Sequence, residues 1–367
     1  MGAISDLVNP FITAPAFNLA LKLPLIIGDV LTASMLFLII SQWKGEAAGR
    51  NAYALWFLNP LVIWIGSVVG QFDTLAVLCT VVAVYLFIHH RYATAGLALG
   101  VGTLLKVYPA YLGIFFLIYI LVAAGTAWRD RLWSAAKVVA GALLAAVPAV
   151  PLLLTPPEMI DFVFRRAGSD SFGGINPWFL SPLFGGFTSP SGAGSGADSF
   201  LYTPLFLMLV GVALVIIASV ALARSERSPR EIILAGSLVV LLIALIFRSV
   251  TNPQHLLWAL PFMLLFSFID QRMRTPAILL TASGLLASLT LRSFAVFFYP
   301  VAAHTPLVSV EQLNSIVIAY FSAGTFVPSL LFSLSCLLGV VAMVQAVLTV
   351  TSLPSGWFRD RLWRARE

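Results

Sequence analysis

The chain has 367 residues, of which 60% are hydrophobic and only 10% are charged, and its mean hydropathy is +0.98. Soluble globular proteins carry roughly 25% charged residues, so this composition excludes that class. The sequence instead predicts an all-α fold, a polytopic transmembrane helical bundle that forms a single integral-membrane domain over residues 1–367.

About eleven apolar membrane segments follow one another along the chain. They cover approximately residues 20–42, 52–66, 72–91, 92–105, 107–124, 134–154, 200–223, 230–248, 253–269, 276–298 and 327–350. An apolar run of about 18 or more residues is long enough to cross a bilayer as a helix. Several of the runs are shorter, and we expect them to be broken helices that neighbouring helices bury.

The net charge of +6 is unevenly distributed. Most basic residues lie in alternate loops, among them 129–137 and 224–230, and in an amphipathic segment at about 355–367. Because loops rich in Lys and Arg stay in the cytoplasm, these segments are predicted to be cytoplasmic. The loops at about 155–199 and 299–326 are then extracytoplasmic. The basic residues indicate topology and contact with anionic membrane lipids, and no nucleic-acid partner is expected.

Three ionisable residues stand within or beside the apolar segments. Asp73, in the stretch GQFD, lies where one segment stops and the next begins, and either caps that helix or holds a polar substrate. Asp29 lies inside the first segment, where an isolated carboxylate is costly, so we expect it to be protonated or paired. Lys106, before Pro109, either reaches to the interface or contacts an anionic headgroup.

Arg165 and Arg166 lie in the predicted extracytoplasmic loop, against the usual distribution of positive charge. The planar guanidinium group matches phosphate oxygens, which favours an anion as their ligand. Ion pairs with Asp161 or Asp170 are the alternative.

A third polar group gathers where a later segment begins. It consists of Arg248, Asn252, Gln254 and His255. Pro253 is suited to the first turn of a helix, and the free amides of such a turn can bind an anion. The alternative is that the group only caps the helix.

Metal and disulfide chemistry have little support in the sequence. Cys79 and Cys336 both lie in apolar runs, which is typical of small core residues. The four His residues do not show the spacing of metal ligands. No cofactor and no metal site are predicted, and the use of a divalent metal is left open.

Six stretches of the chain resemble a known family when they are taken in order. They are KLPLIIGDVLTA, LWFLNPLVIW, GQFDTLAV, LLKVYPAYL, DFVFRRAGSDSFGGINPWFL and TNPQHLLWALPF. Over about residues 15–270 they resemble the GT-C superfamily of multi-spanning glycosyltransferases. The resemblance is to the catalytic subunit of glycosylphosphatidylinositol mannosyltransferase I, its prokaryotic relatives and glycosyltransferase family 87.

The resemblance implies a membrane glycosyltransferase whose donor is a sugar, usually mannose, on a polyprenyl (dolichyl-type) phosphate. The sugar passes with inversion to a lipid-linked or glycan acceptor on the extracytoplasmic or lumenal side. By the same resemblance, Asp73 faces the sugar, and the substrate-binding residues are those that match the family's stretches. They are Gln71, Lys106, Tyr108, Arg165, Arg166, Arg248, Asn252, Gln254 and His255.

One departure from the family concerns the catalytic acid. The family carries it in a first extracytoplasmic loop that follows an opening helix, whereas here Asp6 alone precedes the first apolar segment. We expect the missing piece to lie outside this sequence or on a small membrane subunit; otherwise the base is Asp6, Asp29 or Asp73. The competing hypotheses are an inactive GT-C-like subunit and a transporter of lipids or small solutes, although the sequence shows no internal repeat typical of transporters.

Overall fold

The structure is a computed structural model that describes residues 15–122, 127–154, 173–177, 204–248, 250–291, 298, 302, 306–322 and 326–353. Most of these residues are helical. The α-helices are α1 (Pro15–Lys44), α2 (Glu46–Phe57), α3 (Pro60–Val62), α4 (Asp73–Ile88), α5 (Tyr92–Leu105), α6 (Pro109–Val122), α7 (Trp128–Ala146), α8 (Pro204–Ala223), α9 (Pro229–Ile246), α10 (Leu260–Ser267), α11 (Arg274–Leu291), α12 (Val310–Ser322) and α13 (Phe326–Thr351). The predicted all-α architecture is confirmed for this part of the chain.

Shorter elements connect these helices. A π-helix, Ile63–Val69, continues α3, and 3₁₀ helices cover Val147–Leu154, Pro253–Trp258 and Gln271–Met273. Two short strands, β1 (Gly173–Gly174) and β2 (Val250–Thr251), pair in parallel with Gly173 opposite Val250. Most of the predicted loop at 155–199 and the predicted amphipathic segment at 355–367 lie outside the described residues.

Five helices in the described part of the chain are long and apolar enough to cross a membrane. They are Leu19–Lys44, Trp128–Pro151, Phe206–Ala223, Pro229–Ile246 and Leu330–Thr351. A bent pair, Glu46–Phe57 with Pro60–Val69, adds a sixth if it forms one broken span. The predicted number of about eleven membrane segments is therefore not confirmed, because several of those segments form helices of only 14 to 16 residues.

The predicted segment 52–66 is not one continuous helix. The chain bends by 40° between Phe57 and Pro60. The side chain of Asn59 accepts hydrogen bonds from the amides of Leu61 at 2.9 Å and Val62 at 3.4 Å, so it caps the new helix. Pro60 suits the first helical position because its missing N–H would have no partner there. The sequence LNP therefore ends one helix and begins the next.

Small residues allow two helices of the bundle to approach closely. Gly96 of α5 contacts the backbone of Val138 in α7, and Gly141 of α7 contacts the backbone of Ala93 in return. A Cβ atom at either glycine would overlap a carbonyl oxygen. Close packing of this kind, without bulky side chains between backbones, is typical of helix pairs in membranes.

The two ends of the bundle differ in the residues that they collect. At one end the guanidinium group of Arg227 donates to the carbonyls of Val350, Thr351 and Leu353, and so satisfies the C-terminus of α13. Arg227 lies in a loop that is predicted to be cytoplasmic, and α13 ends at the same end of the bundle. The other end carries the N-terminus of α4, the break between α5 and α6, and the paired strands, and it holds the candidate site.

Candidate functional site

Asp73 is the first residue of α4, and its side chain is completely buried. Its Oδ1 atom accepts a hydrogen bond from Nε1 of Trp258 at 3.1 Å, and Oδ2 lies 3.2 Å from Nζ of Lys106. The predicted position at a helix start is correct. The contacts differ from those of a cap, because this carboxylate binds side chains from other elements instead of the amides of its own helix.

Lys106 lies in the break between α5 and α6, and 23% of its side chain is exposed. Its ammonium group stands 4.4 Å from the centre of the Phe72 ring while it faces Asp73. The contact with Oδ2 of Asp73 lacks hydrogen-bond geometry and is an ion pair. Lys106 therefore keeps donors available to an anion that approaches from the open side.

Trp258 is the centre of the site, although its side chain is only 2% exposed. Besides its bond to Asp73, its ring stacks on Tyr108 with a centroid distance of 4.0 Å and an interplanar angle of 13°. The guanidinium carbon of Arg248 lies 5.3 Å from the centre of the indole ring, within the range of a cation–π contact. One indole thus touches a carboxylate, a phenol and a cation.

Tyr108 is buried beside this indole. Its hydroxyl oxygen is 3.2 Å from Oγ1 of Thr80 in α4. The Thr80 hydroxyl also bonds to the carbonyl of Ala76, at 2.7 Å. Because the phenol is held at both its ring and its hydroxyl, it forms a fixed wall of the site.

His255 also contacts Trp258, and the centres of the two rings are 4.7 Å apart. Its Nδ1 atom accepts a hydrogen bond from the backbone amide of Asn252 at 3.0 Å. A nitrogen that accepts carries no proton, so the proton of the neutral ring is on Nε2, which is therefore a donor. The predicted polar cap is confirmed for Asn252 and His255, whereas Gln254 is half-buried in the same turn with no side-chain bond described.

Arg248 is held in place through its backbone by a distant part of the chain. Its carbonyl oxygen accepts a hydrogen bond of 2.7 Å from Nδ2 of Asn176. The same nitrogen is 3.2 Å from Oγ1 of Thr251, and Nε of Arg248 donates to the carbonyl of Val250 at 2.8 Å. Asn176 is fully buried, and its bond to Thr251 forms away from water, whereas the side chain of Arg248 lies at the exposed edge of the site.

The segment 173–177 reaches this position because residue 174 is glycine. Gly174 has a φ of +89°, and a Cβ atom there would overlap the backbone of Thr251. The amide of Ile175 then donates to the carbonyl of Thr251 at 2.8 Å. The stretch GGIN therefore ties the loop that contains it to the turn that carries Arg248.

Gln71 lies between the π-helix and α4, where the chain changes direction. Gly70 adopts a left-handed conformation with φ of +78°, and the amide of Gln71 bonds to the carbonyl of Ile65. Nζ of Lys22 donates to the carbonyl of Val68 at 2.8 Å and so caps the end of the π-helix. The side chain of Gln71 is half-buried two residues from Asp73, which fits the predicted place near the site.

Asp29 is separate from this cluster. It lies within α1, is 4% exposed, and its Oδ1 atom has no hydrogen-bond partner among the described residues. The indole of Trp56 faces the carboxyl group without hydrogen-bond geometry, and Gly66 of the π-helix packs directly against it. Its burial keeps Asp29 away from any acceptor that binds at the site.

Three predicted site residues cannot be placed, because Asp6, Arg165 and Arg166 lie outside the described residues. The remaining predicted residues, apart from Asp29, collect around the Asp73–Trp258 contact. Within the described ranges, no three His, Cys, Asp or Glu side chains come together in a way that could hold a metal ion.

Two residues that organise the site were not predicted, Trp258 and Asn176. Both lie inside stretches that carried the family resemblance, TNPQHLLWALPF and DFVFRRAGSDSFGGINPWFL. A signal for Trp258 existed, since a buried indole needs an acceptor for its N–H and a buried carboxylate needs donors. No such local signal marks Asn176, whose partners are more than 70 residues away in the sequence.

The sequence is similar to known proteins. A curated relative from Mycolicibacterium smegmatis (strain ATCC 700084 / mc(2)155) is 26% identical over 234 residues. It is named polyprenol-phosphate-mannose-dependent alpha-(1-2)-phosphatidylinositol pentamannoside mannosyltransferase. The match covers 62% of this chain, and the chain spans about half (50%) of the relative's length. The model of glycosyltransferase family 87 matches residues 10–249, which include Asp73, Lys106 and Arg248. The chain therefore belongs to glycosyltransferase family 87.

Proposed function

We propose that this chain is a membrane glycosyltransferase that takes a sugar from a polyprenyl-phosphate donor. The sugar is mannose, and the acceptor is a lipid-linked or glycan hydroxyl on the extracytoplasmic side. Membership of family 87 and the name of the mycobacterial relative support the donor class. The observation that carries the proposal is a pair of cations at Trp258. Lys106 pairs with the carboxylate that bonds to the indole N–H, and Arg248 lies over the indole ring.

The charges of the cluster suit a phosphate. Asp73 neutralises one positive charge, so Lys106 and Arg248 together leave the site with an excess of one. A dianionic or monoanionic lipid phosphate supplies the missing negative charge and accepts from Nζ, from the guanidinium group and from Nε2 of His255. Because the lipid phosphate is the leaving group, these donors also stabilise the negative charge that develops on it.

In the proposed reaction, the acceptor hydroxyl oxygen attacks the anomeric carbon of the sugar. The bond from that carbon to the phosphate oxygen breaks, the phosphate leaves with the electron pair, and the hydroxyl proton passes to a base. Attack from the face opposite the leaving group inverts the anomeric configuration. The base must lie within hydrogen-bond reach of the hydroxyl.

Asp73 does not suit the role of the base. Its side chain is fully buried and both oxygens face groups of the protein, so an acceptor hydroxyl cannot reach it. The burial of Asp29 argues against that residue in the same way. We assign the base to Asp6 or to a carboxylate from a separate membrane subunit, and we assign Asp73 to positioning Lys106.

The test uses membranes that contain the chain, incubated with radiolabelled polyprenyl-phosphate-mannose and a lipid-linked acceptor. We expect mannose transfer that depends on the chain and a donor KM that rises at least about tenfold in Lys106→Met and in Arg248→Met. Arg50→Met is the matched control, because Arg50 forms an exposed pair with Glu46 within one helix. Absence of transfer, also with the candidate subunit supplied, would contradict the proposal.

The burial of Asp73 also favours a second candidate function. In it, the chain binds the donor lipid as a GT-C-like subunit, and another protein carries out the transfer. Purified chain would then bind polyprenyl-phosphate-mannose with the same dependence on Lys106 and Arg248 but would release no product. Binding without transfer identifies this function, and transfer by the purified chain rejects it.

A further inference from the structure

We propose that Trp258 is a positioning residue that fixes the separation between the two phosphate-binding cations, Lys106 and Arg248. The inference rests on the proposed function, since it concerns how the same donor phosphate is held. Neither the family match nor the relative's name assigns a role to this residue.

One indole ring holds the two cations by different routes. The N–H edge of Trp258 donates to Oδ1 of Asp73, and the other oxygen of that carboxylate pairs with Lys106. The face of the ring lies 5.3 Å from the guanidinium carbon of Arg248. Lys106 is therefore held through Asp73, and Arg248 is held directly, by the same rigid group.

The indole itself is prevented from moving. Tyr108 stacks on it at 4.0 Å, His255 lies 4.7 Å from its centre, and its side chain is 2% exposed. A planar ring with two side-chain torsions loses little freedom when it is packed in this way. Binding groups that are held before the ligand arrives need not be ordered when it binds, which strengthens binding.

Removing only the N–H group distinguishes the positioning of Asp73 from simple packing of the ring. Phe keeps an aromatic face for Arg248 and Tyr108, but it cannot donate to Asp73. Trp258→Phe therefore releases the carboxylate and with it Lys106, while Arg248 keeps its ring. We expect the donor KM to rise about tenfold, because Lys106 then holds the bound phosphate less firmly, and kcat to fall by a smaller factor, because Lys106 also stabilises the charge that develops on the leaving phosphate.

A double-mutant cycle tests whether Trp258 acts through Asp73. Asp73→Asn removes the charge that holds Lys106 and is expected to raise the donor KM to a similar extent. In that background, Trp258→Phe should change the donor KM by less than about twofold, because the contact that it deletes no longer positions Lys106. Two tenfold effects that multiply to about a hundredfold would overturn the proposal.

Trp43→Phe is the matched control. Trp43 is buried, at 5% exposed, and it is 21 residues further along α1 than Lys22, which lies near the site. At 1.5 Å per residue this distance is about 30 Å. The control should leave the donor KM unchanged. If Trp43→Phe raises it as Trp258→Phe does, the effect comes from general loosening of the fold, and the proposal is wrong.

Failure of this inference can be distinguished from failure of the proposed function. Transfer by the wild-type chain with an unchanged donor KM in Trp258→Phe overturns this inference and leaves the proposed function standing. Absence of wild-type transfer and of donor binding overturns both. If Trp258→Phe does not fold, benzothienylalanine introduced at position 258 keeps the bicyclic shape and lacks the N–H group. It should raise the donor KM by the same factor, and an unchanged KM contradicts the proposal.

Discussion

Lys106→Met deletes the cation that pairs with the buried carboxylate of Asp73. Asp73 has no exposed surface and cannot turn to water, whereas Lys106 is partly exposed. Removing one partner of a buried ion pair leaves a charge without compensation and costs about 3–5 kcal/mol. We therefore expect Lys106→Met to lower the free energy of unfolding by about 3 kcal/mol or more.

Removing the carboxylate instead of the cation is expected to lower the free energy of unfolding by a smaller amount. In Asp73→Asn, the carbonyl oxygen of the amide still accepts from Trp258, and Lys106 can turn toward water, so a loss of about 1–2 kcal/mol is expected. The double variant Asp73→Asn with Lys106→Met has no isolated charge. It should be more stable than Lys106→Met by at least about 2 kcal/mol.

Equilibrium unfolding in mixed micelles, followed by circular dichroism as the fraction of denaturing detergent increases, measures these differences. Arg50→Met is the control, since the exposed pair of Arg50 and Glu46 within α2 is worth about 0.5 kcal/mol. If the double variant is no more stable than Lys106→Met, the two charges are not coupled. The account of Asp73 as a buried counter-ion is then refuted.

Three further predictions concern the elements around the site and one loop. Gly174→Ala should lower the free energy of unfolding by about 1–3 kcal/mol and raise the donor KM. The added Cβ atom overlaps the backbone of Thr251, and a φ of +89° is strained for alanine. An unchanged unfolding curve would refute this prediction. Asn59→Ala should cost about 1 kcal/mol by removing the helix cap, measured by the same unfolding. The Arg272 guanidinium, which is hydrogen-bonded to Asp270, lowers the pKa of that carboxyl from its ordinary value of 3.8. The pair therefore stabilises the fold above pH 3.8, and its contribution to stability is lost as the pH falls below that value. Asp270→Asn should therefore make the unfolding free energy depend less on pH below about pH 4.

The sequence predicted the helical class and most of the residues that form the site. Apolar runs predict helices, and ionisable residues beside them stand out because an isolated charge is costly in a membrane. This reasoning identified Asp73, Lys106 and Arg248 before any distance between them was known. It did not identify the geometry, because Asp73 and Trp258 are 185 residues apart in the sequence and their contact depends on the packing of helices.

Two local predictions were limited by what hydropathy can measure. The segment around Asn59 is apolar on both sides, so a hydropathy profile shows one helix where the chain bends by 40°. At Asp73, the position at a helix start favours a cap, but a strong cation and an indole donor from elsewhere compete with the helix amides for the carboxylate. Local rules do not include partners that only the tertiary fold supplies.

The ion pair of Asp73 and Lys106 also bears on how this protein enters its membrane. Asp73 begins the apolar helix α4, and Lys106 follows the apolar helix α5. A charge costs about 2.5–3.5 kcal/mol at the centre of a spanning helix and less at a helix end, and an ion pair lowers that cost, so each helix enters lipid more easily with its partner than alone. The two charges therefore favour insertion of α4 and α5 as a hairpin, long before Trp258 has been synthesised. The indole of Trp258 then bonds to Asp73 in an ion pair that has already formed.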